Sequence, residues 1–201
     1  MYRKMRKSTN EREYTERLLT KQFVWWKRLL DVQRPYRNNI NKLDLGFTLD
    51  IGCGIGRNLL HIKGNGVGID HNKVSVKICK EKGLVAYTKE EFFKSEYCKN
   101  NYFDSILLAH VAEHMTESEA ISLLKEYLPF VKVNGKLVVI TPQEAGYASD
   151  ETHIQFTDFK VVKRIFSALG VIQEKFYSFP FPRFVGKVFK HNEFISVARK
   201  N

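Results

Sequence analysis

A loop with three closely spaced glycines near residue 50 constrains this chain more than any other feature. The segment reads TLDIGCGIGRNLL and spans residues 48–60. Apolar residues lead to Asp50, glycines follow at positions 52, 54 and 56, and a helix-like run comes next. Glycine lets the backbone turn tightly and approach a ligand without interference from a Cβ atom. A strand, a glycine loop and a helix in this order predict a ligand-binding turn at the carboxyl end of a strand.

Strand-like and helix-like segments alternate after residue 45, as in a doubly wound α/β sheet. Two of the strand-like segments, DSILLA and KLVVIT, are continuously apolar, which is typical of buried parallel strands. The last two have no clear helix between them, which is compatible with an antiparallel pair. The seven strand-like segments are GFTLDIG, GVGID, GLVAYT, FDSILLAHV, KLVVITP, VIQEKFYSF and EFISVARK.

The first 44 residues form a region of different character. Apolar residues recur at steps of three and four over residues 11–34, which predicts a helix, and Pro35 is expected to end it. We therefore divide the chain into a basic helical extension, residues 1–44, and a ligand-binding domain, residues 45–201. Trp25 and Trp26, flanked by lysines, suit a lid over the site, a peripheral membrane anchor, or ordinary packing on the sheet.

Basic charge is concentrated at the two ends of the chain. The net charge is +11, with +7 on residues 1–48, −3 on residues 49–158 and +7 on residues 159–201. Such ends suit RNA, an anionic lipid surface or a phosphorylated substrate, or serve solubility alone. The three cysteines are scattered, no apolar run is long enough to span a membrane, and no secretory signal is evident. A cytoplasmic protein is expected.

The acidic residues around the glycine loop indicate the kind of ligand. The spacing is G-x-G-x-G rather than the G-x-G-x-x-G of dinucleotide sites, and Asp50 precedes it by two positions. A carboxylate there would repel a pyrophosphate but would suit a ligand with an α-amino group and a sulfonium. Asp70 lies 20 residues after Asp50, at the end of the second strand, where it can accept hydrogen bonds from ribose hydroxyls.

Four segments resemble the successive motifs of class I S-adenosylmethionine-dependent methyltransferases. They are LDIGCGIGRNL, GVGID, FDSILLAHVAEHM and VNGKLVVITP, and the resemblance covers about residues 45–200. It is closest to the small methyltransferases grouped with ubiquinone-biosynthesis O-methyltransferases. The resemblance implies a Rossmann-like, mostly parallel seven-stranded sheet, with the last strand antiparallel and inserted between its neighbours. It also implies S-adenosylmethionine as the cofactor.

The resemblance assigns cofactor-binding roles to particular residues. Asp50 and the loop glycines would line the methionine end of the cofactor, Asp70 would bind the ribose, and His71 would lie along the adenosine. The adenine contact stays open among Thr88, Glu90 and Glu91. The full expected cofactor set is Asp50, Gly52, Cys53, Gly54, Gly56, Asp70, His71, Ala109 and His110.

The segment after the fourth strand holds the first group of candidate catalytic residues. His110, Glu113 and His114 form H-x-x-E-H, and on a helix they would share one face. With His153 they could bind a divalent metal, as in relatives that carry E-x-x-E-H at this place. A histidine in the first position disfavours Mg²⁺ and favours a softer ion. The commoner alternative is a metal-free Glu-His pair beside the cofactor, and we predict no metal.

The loop after the fifth strand supplies the remaining candidates. His153 has a pKa suited to a general base acting on a hydroxyl, or it braces the loop. Gln143, Glu144 and Tyr147 are predicted to contact substrate, and Thr157 is predicted to cap the following helix. Further on, the phenylalanines of FYSFPFPRFVGKVF suit an acceptor wall or a crowded core edge, and Arg183 suits an anionic substrate.

The sequence favours methyl transfer to a small-molecule acceptor, on oxygen rather than nitrogen. It lacks the N/D-P-P-[YFW] stretch, typical of enzymes that methylate amino groups of nucleic-acid bases or glutamine, after the fourth strand. Two alternatives remain: an RNA methyltransferase that uses the basic ends, or a non-catalytic protein that binds the cofactor. The acceptor and the oligomeric state do not follow from the sequence.

Overall fold

The structure, a computed structural model, describes Asp31 and residues 33–201. In this part of the chain helices alternate with the strands of one seven-stranded sheet. The α-helices are α1 (Arg34–Lys42), α2 (Arg57–His61), α3 (Lys73–Glu81), α4 (Lys89–Phe92), α5 (Glu117–Tyr127), α6 (Glu144–Tyr147) and α7 (Phe159–Leu169). The strands are β1 (Thr48–Ile51), β2 (Gly66–Ile69), β3 (Ala86–Tyr87), β4 (Phe103–Ala109), β5 (Val131–Pro142), β6 (Ile172–Phe179) and β7 (Glu193–Arg199).

The sheet has the doubly wound topology that the sequence predicts. The strand order is β3-β2-β1-β4-β5-β7-β6, and β1 to β5 are parallel. Strand β7 lies between β5 and β6 and runs antiparallel to both. The order reverses between β1 and β4, so a crevice opens at the carboxyl ends of these strands, where ligands bind in sheets of this kind.

Each face of the sheet has its own apolar layer. On one face, β-strand residues such as Leu49 and Ile106 pack with α5 and α7, which contribute Leu124 and Phe166. These side chains are fully buried, and burying each contributes roughly 2 kcal/mol to stability. On the other face, Ile40 and Leu45 from the region of α1 pack against residues of β4, β5 and β7. The sheet thus holds the strand ends rigidly in place.

Helix α1 differs from the expectation at Pro35. This residue was expected to end a helix, but it lies in the first turn of one that continues to Lys42. Proline is well placed there because the first N–H groups of a helix have no intrahelical acceptor. The rest of the helix predicted over residues 11–34, with Trp25 and Trp26, falls outside the described residues. None of the described helices combines the length and the hydrophobicity needed to cross a membrane.

The start of α7 is one residue away from its predicted position. The N-cap is Asp158, whose carboxylate accepts hydrogen bonds from the N–H groups of Lys160 and Val161. The carbonyl of Thr157, the expected cap, instead accepts a 2.6 Å hydrogen bond from the Thr141 hydroxyl. Thr157 therefore joins β5 to the loop before the helix.

Candidate active site

The glycine loop turns sharply directly after β1. Gly52, Gly54 and Gly56 have φ angles of 72°, 54° and 83°, in the left-handed region. A Cβ atom on Gly52 would collide with the side chain of Val111, and one on Gly56 would collide with Leu84. Both positions therefore need glycine for conformation and for space. The loop leaves the backbone of residues 52–56 free to approach a ligand.

Asp50 is a buried acid without a hydrogen-bond partner. Its side chain is 1% exposed, and neither carboxylate oxygen is hydrogen-bonded. Burial raises the pKa of Asp50 to about 7, against the charge of Arg57, which lowers it. A buried carboxylate without a partner is costly, so this position favours a ligand that brings a cationic hydrogen-bond donor.

Asp70 connects the glycine loop to the end of β2. One carboxylate oxygen accepts a 2.8 Å hydrogen bond from the Gly54 N–H, and the other accepts one of 2.8 Å from the Asn72 N–H. Each oxygen keeps a second lone pair, which can accept from a ligand hydroxyl. The His71 ring lies beside it, with Nδ1 3.6 Å from Asp70 Oδ1. Asp70 is thus held in a fixed orientation with spare acceptor capacity.

Two of the three candidates for the adenine contact are engaged locally. The Thr88 hydroxyl accepts a hydrogen bond from the Glu91 N–H, and the Glu91 carboxylate accepts one from the Thr88 N–H, forming a capping box on α4. Glu90 lies exposed on the same turn.

Cys53, another predicted cofactor residue, has a buried side chain, and its thiol and that of Cys79 both contact the Gly54 carbonyl. Only the backbone of Cys53 is therefore placed to meet a ligand.

His110 is held between two carboxylates. Its Nε2 atom lies 2.8 Å from Glu193 Oε1, and its Nδ1 atom lies 3.4 Å from Glu113 Oε1. Burial lowers the pKa of His110, but the hydrogen bonds and charges of the two carboxylates outweigh burial and raise it to about 9. The ring is therefore an imidazolium at neutral pH, which makes it a hydrogen-bond donor and not a base.

The H-x-x-E-H segment is not an α-helix, so its three side chains do not share a helical face. His110 has a φ of 60°, and only Ala112–His114 form a short 3-10 turn. The left-handed conformation at His110 turns the chain away from β4, so the segment cannot continue as an α-helix. His110 consequently lies between Glu193 and Glu113, while Glu113 and His114 also lie close to His153.

Glu193 is a site residue that the sequence analysis missed. It begins β7 and pairs in register with Pro142 at the end of β5. This pairing brings it to His110, 83 residues earlier in the chain. The only signal in the sequence is an acid at the start of a strand, which becomes informative once the pairing of β5 with β7 is known.

Glu113, His114 and His153 form a cluster in which one ligand atom from each lies within 4.8 Å of the others. His114 Nδ1 lies 3.3 Å from the Thr152 carbonyl oxygen, and His153 Nδ1 lies 2.7 Å from the Tyr147 carbonyl oxygen. A carbonyl only accepts hydrogen bonds, so both Nδ1 atoms carry a proton, and in the neutral form of each ring Nε2 keeps its lone pair.

The buried carboxylate of Glu113 completes this cluster. Glu113 is 1% exposed, and apart from His110 Nδ1, 3.4 Å from its Oε1 atom, its oxygens have no close polar partner. Burial lowers the pKa of His114, which keeps that ring neutral at pH 7. The three side chains could act as bases or could hold a divalent ion, whereas His110, the fourth expected ligand, is engaged by Glu193.

Gln143, predicted to contact substrate, is instead fully buried. Its side-chain amide donates to the Ser178 hydroxyl at 2.7 Å and to the Glu193 carbonyl at 2.9 Å. Its oxygen accepts a 3.0 Å hydrogen bond from Asn192. Because every one of these partners lies within the protein, Gln143 fastens the end of β5 to β6 and β7 and offers nothing to a substrate.

The other two predicted substrate residues lie on α6. Glu144 forms a bidentate ion pair with Arg183. The Arg183 guanidinium is therefore not free for an anionic substrate, and the Glu144 carboxylate is not free for other contacts. The Tyr147 ring stacks on the His153 ring at a centroid distance of 5.3 Å and an angle of 20°. Tyr147 thus fixes His153 twice, with its carbonyl and with its ring.

A comparison with protein-family models finds one match that covers the first part of the sheet. Residues 49–139 match a family described as a methyltransferase domain. The match extends from β1 almost to the end of β5 and includes the glycine loop, Asp70 and His110–His114. A search of curated proteins found no match.

Solved structures with the same architecture include several methyltransferases. A SAM-dependent methyltransferase from Archaeoglobus fulgidus is 19% identical with a TM-score of 0.66, covering 89% of this chain and 99% of that one. Magnesium protoporphyrin IX methyltransferase (ChlM) from Synechocystis PCC 6803, with bound SAH, is 12% identical with a TM-score of 0.65, covering 98% of each chain. N-methyltransferase NodS from Bradyrhizobium japonicum WM9 is 12% identical with a TM-score of 0.60, covering 84% and 96%. At such identities the likeness shows the fold.

The family match and the geometry lead to one cofactor. The turn after β1 needs glycine, Asp50 is a buried acid without a partner, and Asp70 keeps acceptor capacity at the end of β2. These features fit the amino group and the ribose of S-adenosylmethionine. Over residues 49–139 the chain matches a methyltransferase domain, and it has the fold of solved S-adenosylmethionine-dependent methyltransferases.

Proposed function

We propose that the enzyme transfers a methyl group to an oxygen atom of a small-molecule acceptor. The observation that carries this proposal is the cluster of Glu113, His114 and His153, in which two imidazoles keep a free Nε2 lone pair. A hydroxyl acceptor must lose its proton during transfer, and a positioned imidazole is suited to take it. The cofactor, when bound, supplies the methyl group on a positively charged sulfur.

The cofactor-binding roles divide along the edge of the sheet. Asp50 would accept hydrogen bonds from the α-amino group, and Asp70 would accept them from the ribose hydroxyls. The backbone of residues 52–56 would follow the methionine part, and His71 would flank the adenosine. Ala109 ends β4 and His110 follows it, on the other side of the crevice, where their backbone would border the sulfonium.

His153 is our first choice for the general base. Tyr147 holds its ring in one orientation, beside the ring of His114. After accepting the hydroxyl proton, the ring would carry a positive charge that the Glu113 carboxylate stabilises. His114 is the alternative base, because its ring lies 4.8 Å from the His153 ring and has the same tautomer.

The charges around the cluster also suit a sulfonium ligand. Glu113 and Glu193 are two carboxylates facing the single imidazolium of His110. With both carboxylates ionised, this group carries one net negative charge. A cation bound at this edge would therefore be stabilised, in agreement with the chemistry of the cofactor.

A divalent ion is the second interpretation of the cluster. Histidines that ligate metals commonly donate their other N–H to a carbonyl or carboxylate, as His114 and His153 do here. Two imidazoles and one carboxylate favour a softer ion than Mg²⁺. The metal-free mechanism that we predict and this alternative give opposite responses to a chelator.

The test is transfer of labelled methyl groups into a cell extract separated into small-molecule, lipid, RNA and protein fractions. We expect label in the small-molecule or lipid fraction, in a base-stable form typical of an ether. His153→Ala should reduce the label while leaving binding of S-adenosylhomocysteine unchanged. Loss of label on chelation and recovery on adding a metal would replace the metal-free mechanism with the metal-assisted one.

RNA is the alternative acceptor, because each end of the chain carries a net charge of +7. Label in the RNA fraction, and RNA binding that weakens steeply with salt, would favour it over our proposal. Label in no fraction of any extract, despite tight cofactor binding, would favour a binding protein without catalysis.

A further inference from the structure

The connection between β6 and β7 exposes apolar side chains to an unusual degree. Val188 is 83% exposed and Phe184 is 71% exposed, the two highest values among the large apolar residues that the structure describes. Phe181, in the same connection, is 47% exposed. We call residues 180–191 the docking loop. Single exposed apolar residues are common, but the two most exposed ones lie four residues apart here.

The charge of this part of the chain is entirely basic. Residues 175–192 contain four lysines and arginines and no aspartate or glutamate. Lys187 and Lys190 are exposed and flank Val188, while Arg183 is paired with Glu144. Apolar side chains between exposed lysines are the pattern of a segment that lies in a membrane interface.

We propose that the docking loop binds the surface of an anionic lipid bilayer. Phe184 and Val188 enter the boundary between headgroups and acyl chains, and Lys187 and Lys190 pair with lipid phosphates. The aliphatic side chain of Val188 favours lipid over nucleic acid as the binding partner. It has no ring to stack on a base and no polar atom to read one, but it gains from contact with acyl chains.

The loop is fixed to the acceptor side of the site, so docking would orient the active site as well. Asn192 accepts a 2.9 Å hydrogen bond from the Phe181 N–H and donates to the Pro182 carbonyl. Gly186 packs directly against the Gln143 side chain. The residue after Asn192 is Glu193, which holds His110. A bilayer bound by the loop would therefore lie next to the acceptor side.

The docking proposal extends to the class of acceptor. A hydroxylated molecule dissolved in the membrane, with an apolar tail and a polar head, could reach the site without crossing bulk water. This extension rests on the proposed O-methylation, whereas binding of the loop to lipid does not.

The experiment is co-sedimentation of the full chain with vesicles. One set contains phosphatidylcholine alone, and the other contains about one third phosphatidylglycerol to supply anionic charge. We expect binding to the anionic set only. The double variant Phe184→Ser with Val188→Ser should bind roughly tenfold more weakly. A matched double variant, Val133→Ser with Ile172→Ser, alters two residues 60% and 55% exposed elsewhere and should bind like the unaltered protein.

A charge variant gives a second, independent measurement. Lys187→Glu with Lys190→Glu should also lose binding, and added salt should weaken binding of the unaltered protein. Affinity for S-adenosylhomocysteine, measured on every variant, should stay unchanged and shows that each one is folded.

The outcomes separate the docking proposal from the proposed function. Failure of the unaltered protein to bind anionic vesicles would overturn docking, even if O-methylation is found. Equal binding of the serine variant and its matched control would also overturn the docking proposal. Residues 1–30 would then be the next segment to test for lipid binding. Lipid binding without any methylated lipid-soluble product would leave docking in place and count against the acceptor assignment.

Discussion

The proposed cofactor side and the proposed acceptor side of the site are built from contacts of very different range. On the cofactor side, Asp70 accepts from Gly54 and Asn72, residues 16 and two positions away in the chain. On the acceptor side, His110 meets Glu193 across 83 residues. The first side is assembled by neighbouring turns, and the second needs the complete sheet. A folding defect in β7 should therefore damage the acceptor side first.

The two sides also differ in what they leave unsatisfied. Asp50 on the cofactor side is buried alone, with no hydrogen bond to either oxygen. On the acceptor side, Glu193 is paired with His110, and Gln143 is hydrogen-bonded on both its atoms. Glu113 is the exception, and it lies in the cluster that we assign to chemistry. The two buried acids, Asp50 and Glu113, thus lie where we propose that a ligand or a proton is received.

The largest expected effect is a fall in kcat without a change in cofactor affinity, which distinguishes the acceptor side from the cofactor side. His153→Ala removes the proposed base, and we expect kcat to fall by about 10²- to 10⁴-fold, the usual contribution of general base catalysis. Affinity for S-adenosylhomocysteine should change by less than about twofold, because His153 contacts only acceptor-side residues. Single-turnover kinetics and titration calorimetry measure the two quantities. If kcat is retained, His114 should be tested in the same way.

The next effect is confined to the cofactor side. Asp70→Ala removes the proposed ribose acceptor and the hydrogen bond that holds the glycine loop, so we expect affinity for S-adenosylhomocysteine to fall about 100-fold. Asp44→Ala alters an exposed aspartate whose side chain is 94% accessible, and it is the control. Calorimetry gives both affinities. Equal affinities for the two variants would contradict the assignment of Asp70.

The contrast between the two sides explains what the sequence could predict. The turn at residues 52–56 needs glycine for local reasons, and Asp50 and Asp70 follow strands that can be recognised from their apolar residues. The doubly wound sheet was predictable on the same basis. The local sequence pattern and the position at a strand end were enough to predict that Asp50, the glycine loop and Asp70 lie together, because neighbouring parallel strands end at one edge of a sheet.

The acceptor side could be predicted only in part. Glu193 becomes a partner of His110 through the register of β5 with β7, which a single sequence does not reveal. Gln143 looked like a loop residue, but the packing of Gly186 and Asn192 around it decides that it is buried. Thr157 and Asp158 are both good helix caps, and their tertiary contacts determine which one is used.

A smaller expected effect is a pH dependence of cofactor binding, which tests the role of Asp50 on the cofactor side. Because burial raises the pKa of Asp50 to about 7, the free protein holds much of this acid protonated at neutral pH. Binding an ammonium group needs the carboxylate, so affinity for S-adenosylhomocysteine should rise by about tenfold from pH 6 to pH 8. Asp50→Asn should bind weakly and without this dependence. Calorimetry across the pH range checks both.

The same substitution should stabilise the fold. A carboxyl group whose pKa is raised by folding contributes stability below its unfolded value, 3.8, and that stability is lost as the pH rises through about 7. Asp50→Asn removes this loss and should increase the free energy of unfolding at pH 8 by on the order of 2 kcal/mol. A less stable variant in urea denaturation at pH 8 would mean that Asp50 has a partner in the free protein.

The smallest expected effect concerns the long-range pair on the acceptor side. Glu193→Gln keeps a hydrogen-bond acceptor for His110 but removes one charge, so the pKa of His110 should fall from about 9 towards its usual value, 6.5. A histidine with a raised pKa contributes stability that is complete below 6.5 and is lost as the pH rises through about 9. The variant should therefore be less stable at pH 6 and equal to the unaltered protein at pH 10.

We expect a difference of about 1 to 2 kcal/mol at pH 6, since the His110 side chain is 31% exposed and Glu113 still faces the ring. Glu174→Gln, which alters an exposed pair with Arg199 on β6 and β7, is the matched control and should show no such pH dependence. Urea denaturation at several pH values measures both variants. If the two curves coincide, the contact across 83 residues does not hold the acceptor side together, and the contrast with the cofactor side would no longer apply to stability.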